Sequence, residues 1–261
     1  MQVLETAAAR TANPWPLRRE RAAELAERYP HAAEMLRLYQ GLTVVQEQAL
    51  QAGDSIHLAE YAAQNILPGI VDVTVESGPR ALREGVINVF CTADLVELVQ
   101  RWLDGEALPP FETYLARASA SPLLEVLITP HPDPPPERGR ECPNCGGLPQ
   151  LSYFAVSGEA LVSGPRYLVC SQCANNWVFS RMTCAGCGES TGTKLPIYQE
   201  HERLPHVRVD GCHTCKKYLL TFDLRRETRA VPVVDEIASL PLDLFARDQG
   251  LTKITPNLMG N

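Results

Sequence analysis

The sequence has little that would place it in a membrane or outside the cell. No run of apolar residues reaches the roughly 18 that a membrane-spanning helix requires. The first residues, MQVLETAAARTANPWP, lack a basic segment followed by an apolar core, so no signal peptide is recognised. We therefore expect a cytoplasmic protein without membrane insertion, whose cysteines stay reduced.

The chain also lacks the excess of basic residues that is typical of nucleic-acid-binding proteins. Its formal net charge is −7, with −8 in residues 1–136, +3 in residues 137–230 and −2 in residues 231–261. A divalent ion bound by four thiolates adds about −2, so two such sites would bring the middle segment to about −1. Because a near-neutral segment on an acidic body attracts phosphate backbones poorly, no nucleic-acid partner is expected.

Recognisable catalytic motifs are missing from the N-terminal half. It contains no glycine-rich phosphate loop and no set of His, Cys and Asp residues at catalytic spacing. His31 and His57 stand alone and are interpreted as surface or capping residues. No catalytic residue is therefore predicted.

Helical periodicity accounts for most of residues 1–136. Apolar residues recur every three or four positions in PLRRERAAELAERY, in HAAEMLRLYQGLTVVQEQALQAG and in TADLVELVQRWLDGE. Shorter or less regular helices are predicted at SIHLAEYAAQ, ALREGVINVFC and FETYLARASASPLLEVL, the last as one helix or two. Prolines and glycines instead predict a loop over LPGIVDVTVESGP, and Cys91 is expected to be a buried core thiol.

Eight of the nine cysteines fall into four Cys-x-x-Cys pairs. In the cytoplasm such pairs are metal ligands rather than disulfides. Redox dithiols are the alternative, but they usually open a helix in a βαβ unit, which the sequence does not predict here. Two tight turns can aim four thiolates at one ion, so four turns predict two four-cysteine sites. The predicted metal ligands are Cys142, Cys145, Cys170, Cys173, Cys184, Cys187, Cys212 and Cys215.

The cysteine region repeats one unit. Twenty-four residues separate Cys145 from Cys170, and twenty-four separate Cys187 from Cys212. In both halves a CxxCG turn leads through short strands, among them SYFAV, RYLVC, NWVFS and VRVDG, to the next pair. The equal gaps favour sequential pairing of the four motifs. Spacing leaves open a cross-braced arrangement in which the first and third pairs share an ion.

Each predicted site is closed, because four sulfur ligands leave no position for water or substrate. This favours a structural or electron-carrying role, and in so small a β unit the metal supplies much of the folding energy. Four thiolates bind iron and zinc alike, so the ligand set does not identify the ion. His201, His206 and His213 lie nearby in the sequence and are interpreted as bystanders.

Five prolines in the first eight residues of TPHPDPPPERGRE predict an extended spacer after the helical half. We predict an α+β multidomain protein: an N-terminal α-helical domain, two tandem rubredoxin- or zinc-ribbon-like small β units and a C-terminal helix. This last helix, VVDEIASLPLDLFARDQG, ends at Gly250 and is kinked or split at Pro241. The predicted domains span residues 1–136, 137–180, 181–226 and 227–261.

The sequence segments around the cysteines resemble those of one known family. CPNCGGLPQ is followed by GPRYLVCSQCANNWVFSRMTCAGCG, by CHTCKKYL, by PVVDEIASLPLDLFARDQG and by a terminal PN. This order and these gaps resemble the formate dehydrogenase accessory proteins of the FdhE family. The resemblance covers about residue 140 to the end, whereas the helical half is compatible only in length and class.

The resemblance implies a non-catalytic, cytoplasmic accessory or assembly protein. It would bind the catalytic subunit of molybdenum- or tungsten-dependent formate dehydrogenase and be needed for its maturation, around cofactor insertion or export. It also implies rubredoxin-type sites, which favours iron over zinc for the two ions held by the eight paired cysteines. A homodimer is a further partner to consider. Two other functions stay open: a rubredoxin-like electron-transfer protein, and a zinc-ribbon adaptor that binds nucleic acid.

Overall fold

The computed structural model describes residues 13–53, 57–128, 139–156 and 164–260. The chain divides into two compact units, one within Met1–Pro130 together with Leu258–Gly260, the other within His131–Asn257. The first unit is helical and the second is built on a β-sheet. None of the helices in these described ranges combines the length and the apolar character that crossing a membrane requires. The bounds of the four domains expected from the sequence stay a prediction.

The helical unit consists of short and medium helices joined by tight connections. A 3₁₀ turn at Pro30–Ala32 links the first two helices, and a π-helical turn at Ala62–Ile66 joins the third to the fourth. The helices are α1 Trp15–Arg28, α2 Ala33–Gln46, α3 Leu58–Tyr61, α4 Leu67–Ser77, α5 Arg80–Thr92, α6 Leu95–Leu103 and α7 Pro110–Leu127.

Apolar side chains at helical spacing form the core of this unit. Leu25 on α1 and Leu38 and Leu42 on α2 are buried, as the periodicity predicted. Leu17 was expected on the same face of α1 but is 58% exposed, and Trp15 at the start of α1 is buried instead. Helix α7 is continuous through Pro122 and is the longest of the described helices, so FETYLARASASPLLEVL forms one helix. The core also contains hydrogen-bonded polar groups, such as the hydroxyls of Thr74 and Tyr114, whose oxygens lie 2.7 Å apart.

Two expectations for this half were wrong. The segment LPGIVDVTVESGP forms helix α4 rather than a loop, because Pro68 lies in the first turn, where a missing N–H costs nothing. Gly69 has a packing role there, since a Cβ at this position would lie 2.8 Å from Val45 Cγ1. Cys91 is exposed rather than buried, because α5 turns Val86 and Val89 toward the core instead.

Seven short strands and two helices build the second unit within the described residues. The four strands predicted at SYFAV, RYLVC, NWVFS and VRVDG are confirmed as the first, second, third and fifth. The strands are β1 Pro149–Phe154, β2 Arg166–Cys170, β3 Asn176–Phe179, β4 Ile197–Gln199, β5 Val207–Gly211, β6 Lys217–Asp223 and β7 Thr252–Lys253. The helices are α8 Pro232–Ala238 and α9 Leu240–Asp248.

Strands β1–β3 form the first predicted β unit, or ribbon, and strands β4–β6 form the second. The two ribbons share one sheet, with strand order β3-β2-β1-β6-β5-β4 and β7 added to β6. Within each ribbon the strands are antiparallel, but β1 and β6 pair in parallel across the seam between ribbons. Ser152 and Thr221 pair there, and their hydroxyl oxygens lie 2.6 Å apart in a buried hydrogen bond. The ribbons therefore form one continuous sheet rather than two separate β units.

The C-terminal helix is split at Ser239, and Pro241 lies in the first turn of α9, which confirms the predicted break. Helix α8 packs against β1 and α9 against β5. Three of the four acidic residues of this segment, Asp235, Glu236 and Asp243, are buried. Lys253 Nζ lies 2.7 Å from Glu236 Oε1 and 3.0 Å from Asp243 Oδ1, and all three side chains are buried. The hydroxyl of Tyr218 donates to Asp243 Oδ1 at 2.7 Å.

Replacing Lys253 by methionine should destabilise the second unit by about 3–5 kcal/mol, because it leaves two buried carboxylates without their cation. Urea unfolding followed by fluorescence measures this loss. Burial raises the pKa of Glu236, so the folded state holds a proton there at higher pH than the unfolded chain. The deficit of Lys253→Met should therefore shrink as the pH falls from about 7 to about 5.

The matched control is Arg80→Met, which breaks the exposed pair with Glu84 on α5. Exposed pairs of this kind contribute about 0–1 kcal/mol. A loss at Lys253 no larger than this control would contradict the assignment of a buried ionic centre.

Candidate metal centres

The structure gathers the eight paired cysteines into two groups of four. Within each group the four sulfur atoms lie within 4.8 Å of one another. The groups are Cys142, Cys145, Cys170 and Cys173, and Cys184, Cys187, Cys212 and Cys215. The sequential pairing favoured by the equal gaps is therefore confirmed, and the described residues hold no group of the cross-braced kind. That these cysteines bind metal stays a prediction, which the local geometry supports.

The spacing of the sulfur atoms fits a tetrahedral ion. Cys142 Sγ lies 3.7 Å from Cys173 Sγ, and Cys145 Sγ lies 3.4 Å from Cys170 Sγ. In the second group, Cys187 Sγ lies 3.7 Å from Cys212 Sγ. A metal–sulfur bond of about 2.3 Å places neighbouring sulfurs of a tetrahedron about 3.8 Å apart. Both groups are therefore already close to the size that such an ion requires.

The same backbone turn occurs at each of the four Cys-x-x-Cys pairs and positions the sulfur atoms. In each turn the N–H of the first cysteine donates to the carbonyl five residues later, as from Cys142 to Gly147 at 2.8 Å and from Cys184 to Glu189 at 2.8 Å. The residue after each second cysteine has a positive φ. These residues are Gly146 at 74°, Ala174 at 53°, Gly188 at 84° and Lys216 at 57°.

The positive φ explains part of the CxxCG pattern. Glycine adopts this conformation without a steric penalty, which accounts for Gly146 and Gly188 after the leading pair of each ribbon. Gly147 has a second reason to lack a side chain, because a Cβ there would lie 2.9 Å from Cys170 Sγ. The glycines therefore let the backbone wrap closely around the sulfur atoms.

Amide groups point at the sulfurs, as thiolates require. The N–H of Gln172 donates to Cys170 Sγ at 3.4 Å, and the N–H of Gly186 donates to Cys184 Sγ at 3.3 Å. The side-chain amide of Asn175, which is buried, donates to Cys142 Sγ at 3.5 Å. Hydrogen bonds to the charged form stabilise it, so these donors suit sulfur in its metal-binding state.

The close approach of the four sulfur atoms in each group shifts the pKa values of their thiols. Hydrogen bonds from the neighbouring thiols, Cys145 first, lower the pKa of Cys142, whereas the hydrogen bond with Cys142 raises the pKa of Cys170. In the second group burial raises the pKa of Cys215 to about 12. Four sulfurs this close cannot all ionise side by side without a cation among them. A bound ion supplies that charge and converts each group into four thiolates.

The histidines do not join these groups. His206 is buried, but its Nε2 lies 3.1 Å from Asp235 Oδ1 on α8. This contact joins the second ribbon to helix α8. His201 and His213 are exposed. Neither group in the described residues includes a histidine. Nothing in the sequence signalled the structural role of His206, because its partner lies 29 residues away.

Two four-cysteine groups on one sheet, in a chain with a separate helical unit, define a protein with two candidate metal centres. Residues 141–181 match the family model described as the FdhE central domain, and residues 182–259 match the FdhE C-terminal domain. Together, the two FdhE domain models match residues 141–259 in sequence order, so this part of the chain is similar to the FdhE family.

Individual relatives agree with this family. A protein FdhE homolog of Aquifex aeolicus is 35% identical over 46% of this chain, and one of Pseudomonas aeruginosa is 34% identical over 45%. These alignments span 41% and 38% of the relatives' own lengths, about two fifths. A homolog of Stutzerimonas stutzeri is 27% identical over 93% of this chain and 88% of its own length.

A solved structure has the same fold. The crystal structure of the FdhE protein from Pseudomonas aeruginosa superposes with a TM-score of 0.67 at 22% identity and covers 95% of both chains. The fold of the helical unit, for which the sequence carried no specific motif, is thus also found in an FdhE protein.

Cys142→Ser and Cys212→Ser should each lower the bound metal from about two ions per chain to about one, because each removes one ligand of one group. Elemental analysis of the purified variants measures the content. Circular dichroism should show largely unchanged helical content, because the helical unit has its own core. Cys91→Ser is the matched control and should keep both ions. Equal loss from both sites in either variant would contradict independent centres.

Acidification should release the ions, because protons compete with metal for the thiolates. Affinity therefore falls as the pH falls, and the release should be steep, since several protons bind for each ion lost. A colorimetric chelator measures the release at stepped pH values. Release that did not depend on pH would count against thiolate ligands.

Proposed function

We propose that this protein is a formate dehydrogenase accessory protein that works in the cytoplasm. It binds the catalytic subunit of the enzyme and is needed for the maturation or activity of that subunit. The observation that carries the proposal is the pair of closed four-cysteine groups within the FdhE central and C-terminal domains. A four-sulfur shell offers a substrate no open position, which supports a non-catalytic role.

The two ions act as scaffolds in this proposal, with iron favoured and zinc possible. Each ion holds together two turns that are separated by 24 residues in the chain, and it contributes folding free energy to a small β unit. The surfaces of the ribbons then present a fixed shape to the client subunit. A visible absorption spectrum of anaerobically purified protein with elemental analysis identifies the ion, because ferric tetrathiolate is coloured and zinc tetrathiolate is not.

A second candidate function is one-electron transfer. Cys145, Cys187 and Cys215 are half-buried, so one edge of each group lies near solvent. A closed sulfur shell around iron also suits electron transfer, because the geometry changes little with oxidation state. Redox titration separates this function from the scaffold role. A reduction potential far outside the physiological range, or zinc at both sites, would remove it.

Deleting this protein from its host should abolish or strongly reduce formate dehydrogenase activity while the catalytic subunit is still made. The reason is that the client would lack the partner on which its maturation depends. Activity staining and immunoblotting of the same extracts measure the two quantities. Full activity in the deletion strain would contradict the proposal.

Affinity capture tests the partner directly. The tagged wild-type chain and the Cys91→Ser control should retain the catalytic subunit, whereas Cys142→Ser and Cys212→Ser should lose it with their metal. Retention by all four proteins would contradict a metal-dependent docking surface but leave the partner itself in place.

A further inference from the structure

An arginine surface lies where the two ribbons meet on the sheet. It consists of three guanidinium groups around one buried aromatic ring, that of Phe154 at the end of β1. The guanidinium carbon lies 4.6 Å from the ring centroid for Arg181, 4.7 Å for Arg208 and 5.4 Å for Arg225. Since the ring is covered, a ligand would meet the guanidinium groups rather than the aromatic face.

Internal carboxylates neutralise this surface only in part. Arg208 Nε lies 2.8 Å from Asp210, and Arg225 Nη2 lies 2.7 Å from Asp223. Arg166, which is buried, also uses Asp210, at 3.2 Å. The same two aspartates thus serve several arginines. Each guanidinium carries five N–H donors, so donors on the exposed side are left for a further anion.

Arg181 is the least neutralised member. Within the described ranges no carboxylate oxygen lies within 4.0 Å of its guanidinium, which donates to the carbonyl of Gly164. Burial, followed by the charges of Arg225 and Arg208, lowers the pKa of Arg181. Repulsion between neighbouring cations is therefore only partly relieved, and an added carboxylate would relieve it further.

A small apolar recess adjoins the arginine surface. Arg181 and Arg208 line it together with Leu195 and Ile254, and its volume is about 40 Å³. Met182 and Ile197 also line it, with exposed fractions of 58% and 53%. Charge and exposed apolar area thus lie side by side. That combination suits a peptide segment better than a free ion, which would use only the charge.

We propose that the arginine surface and its recess bind an acidic segment of a partner protein. Carboxylates of the segment pair with the guanidinium groups of Arg181, Arg208 and Arg225, and a neighbouring apolar side chain packs over Met182 and Ile197. The net charge of −7 disfavours a long polyanion such as nucleic acid, whereas a short acidic segment meets only the local positive charge. This inference rests on the proposed function, because the client subunit is the partner that would carry the segment.

A labelled nine-residue peptide that alternates glutamate with leucine is the probe, and fluorescence anisotropy with the full chain is the measurement. The glutamate peptide should bind at least about tenfold more tightly than its glutamine counterpart, because hydrogen bonds between guanidinium and carboxylate groups are stronger than those to a neutral amide. Arg181→Gln and Arg225→Gln should each weaken binding about tenfold, whereas Arg181→Lys, which keeps the charge, should weaken it less. Arg80→Gln on α5 is the matched control and should bind as the wild type does.

Metal content checks that the variants remain folded, and the wild-type contents are required for each. Equal binding of the two peptides, or full binding by Arg181→Gln, would overturn the inference. Self-association that competes with the peptide would also overturn it, since the acidic occupant would then be a second copy.

Capture of the catalytic subunit separates this inference from the proposed function. If the wild type and Arg181→Gln capture the subunit equally well, the acidic-segment inference is wrong and the accessory function survives. If the wild type fails to capture the subunit but still binds the peptide, the arginine surface is supported and the proposed partner is wrong.

Discussion

The repulsion among four sulfur atoms packed within a few ångströms is the constraint on which the second unit depends. Each ribbon is small, and its turns bring Cys142 and Cys173, or Cys184 and Cys215, to 3.7 Å. Such a cluster is favourable only when a cation replaces the thiol protons. The amide donors around the sulfurs and the left-handed residues after each pair prepare the backbone for that cation. The strands then extend from turns that are already fixed.

The rest of the second unit extends this fixed geometry. Because β1 and β6 belong to different ribbons and pair with each other, the two four-cysteine groups lie on one sheet. The C-terminal segment of α8, α9 and β7 then packs on the sheet through buried charges as well as apolar contacts, with Lys253 between Glu236 and Asp243. A buried ion pair tolerates only a narrow range of geometries. The tail therefore supports one arrangement of the sheet, and with it the junction at which Arg181, Arg208 and Arg225 surround Phe154.

Local features of this protein were predictable from the sequence, and features that join distant residues were not. Turn chemistry at each Cys-x-x-Cys pair acts over six residues, and alternation marks a strand within five, so both could be read directly. The seam between β1 and β6, the inward orientation of the acidic tail and the partner of His206 each depend on residues far apart. The loop predicted around Gly69 was wrong for a related reason, because the small size of this glycine allows a close contact with Val45 on another helix.

The seam also constrains the order of events during synthesis. Ser152 and Thr221 are 69 residues apart, so the central pairing of the sheet has to wait until the ribosome has released nearly the whole region. Each four-cysteine group closes over a span of only 31 residues. Contacts that are close in sequence form sooner than distant ones, and chains fold as they emerge from the N-terminal side. Metal capture by the first ribbon can therefore precede sheet assembly, which makes the supply of metal during translation a determinant of the yield of folded protein.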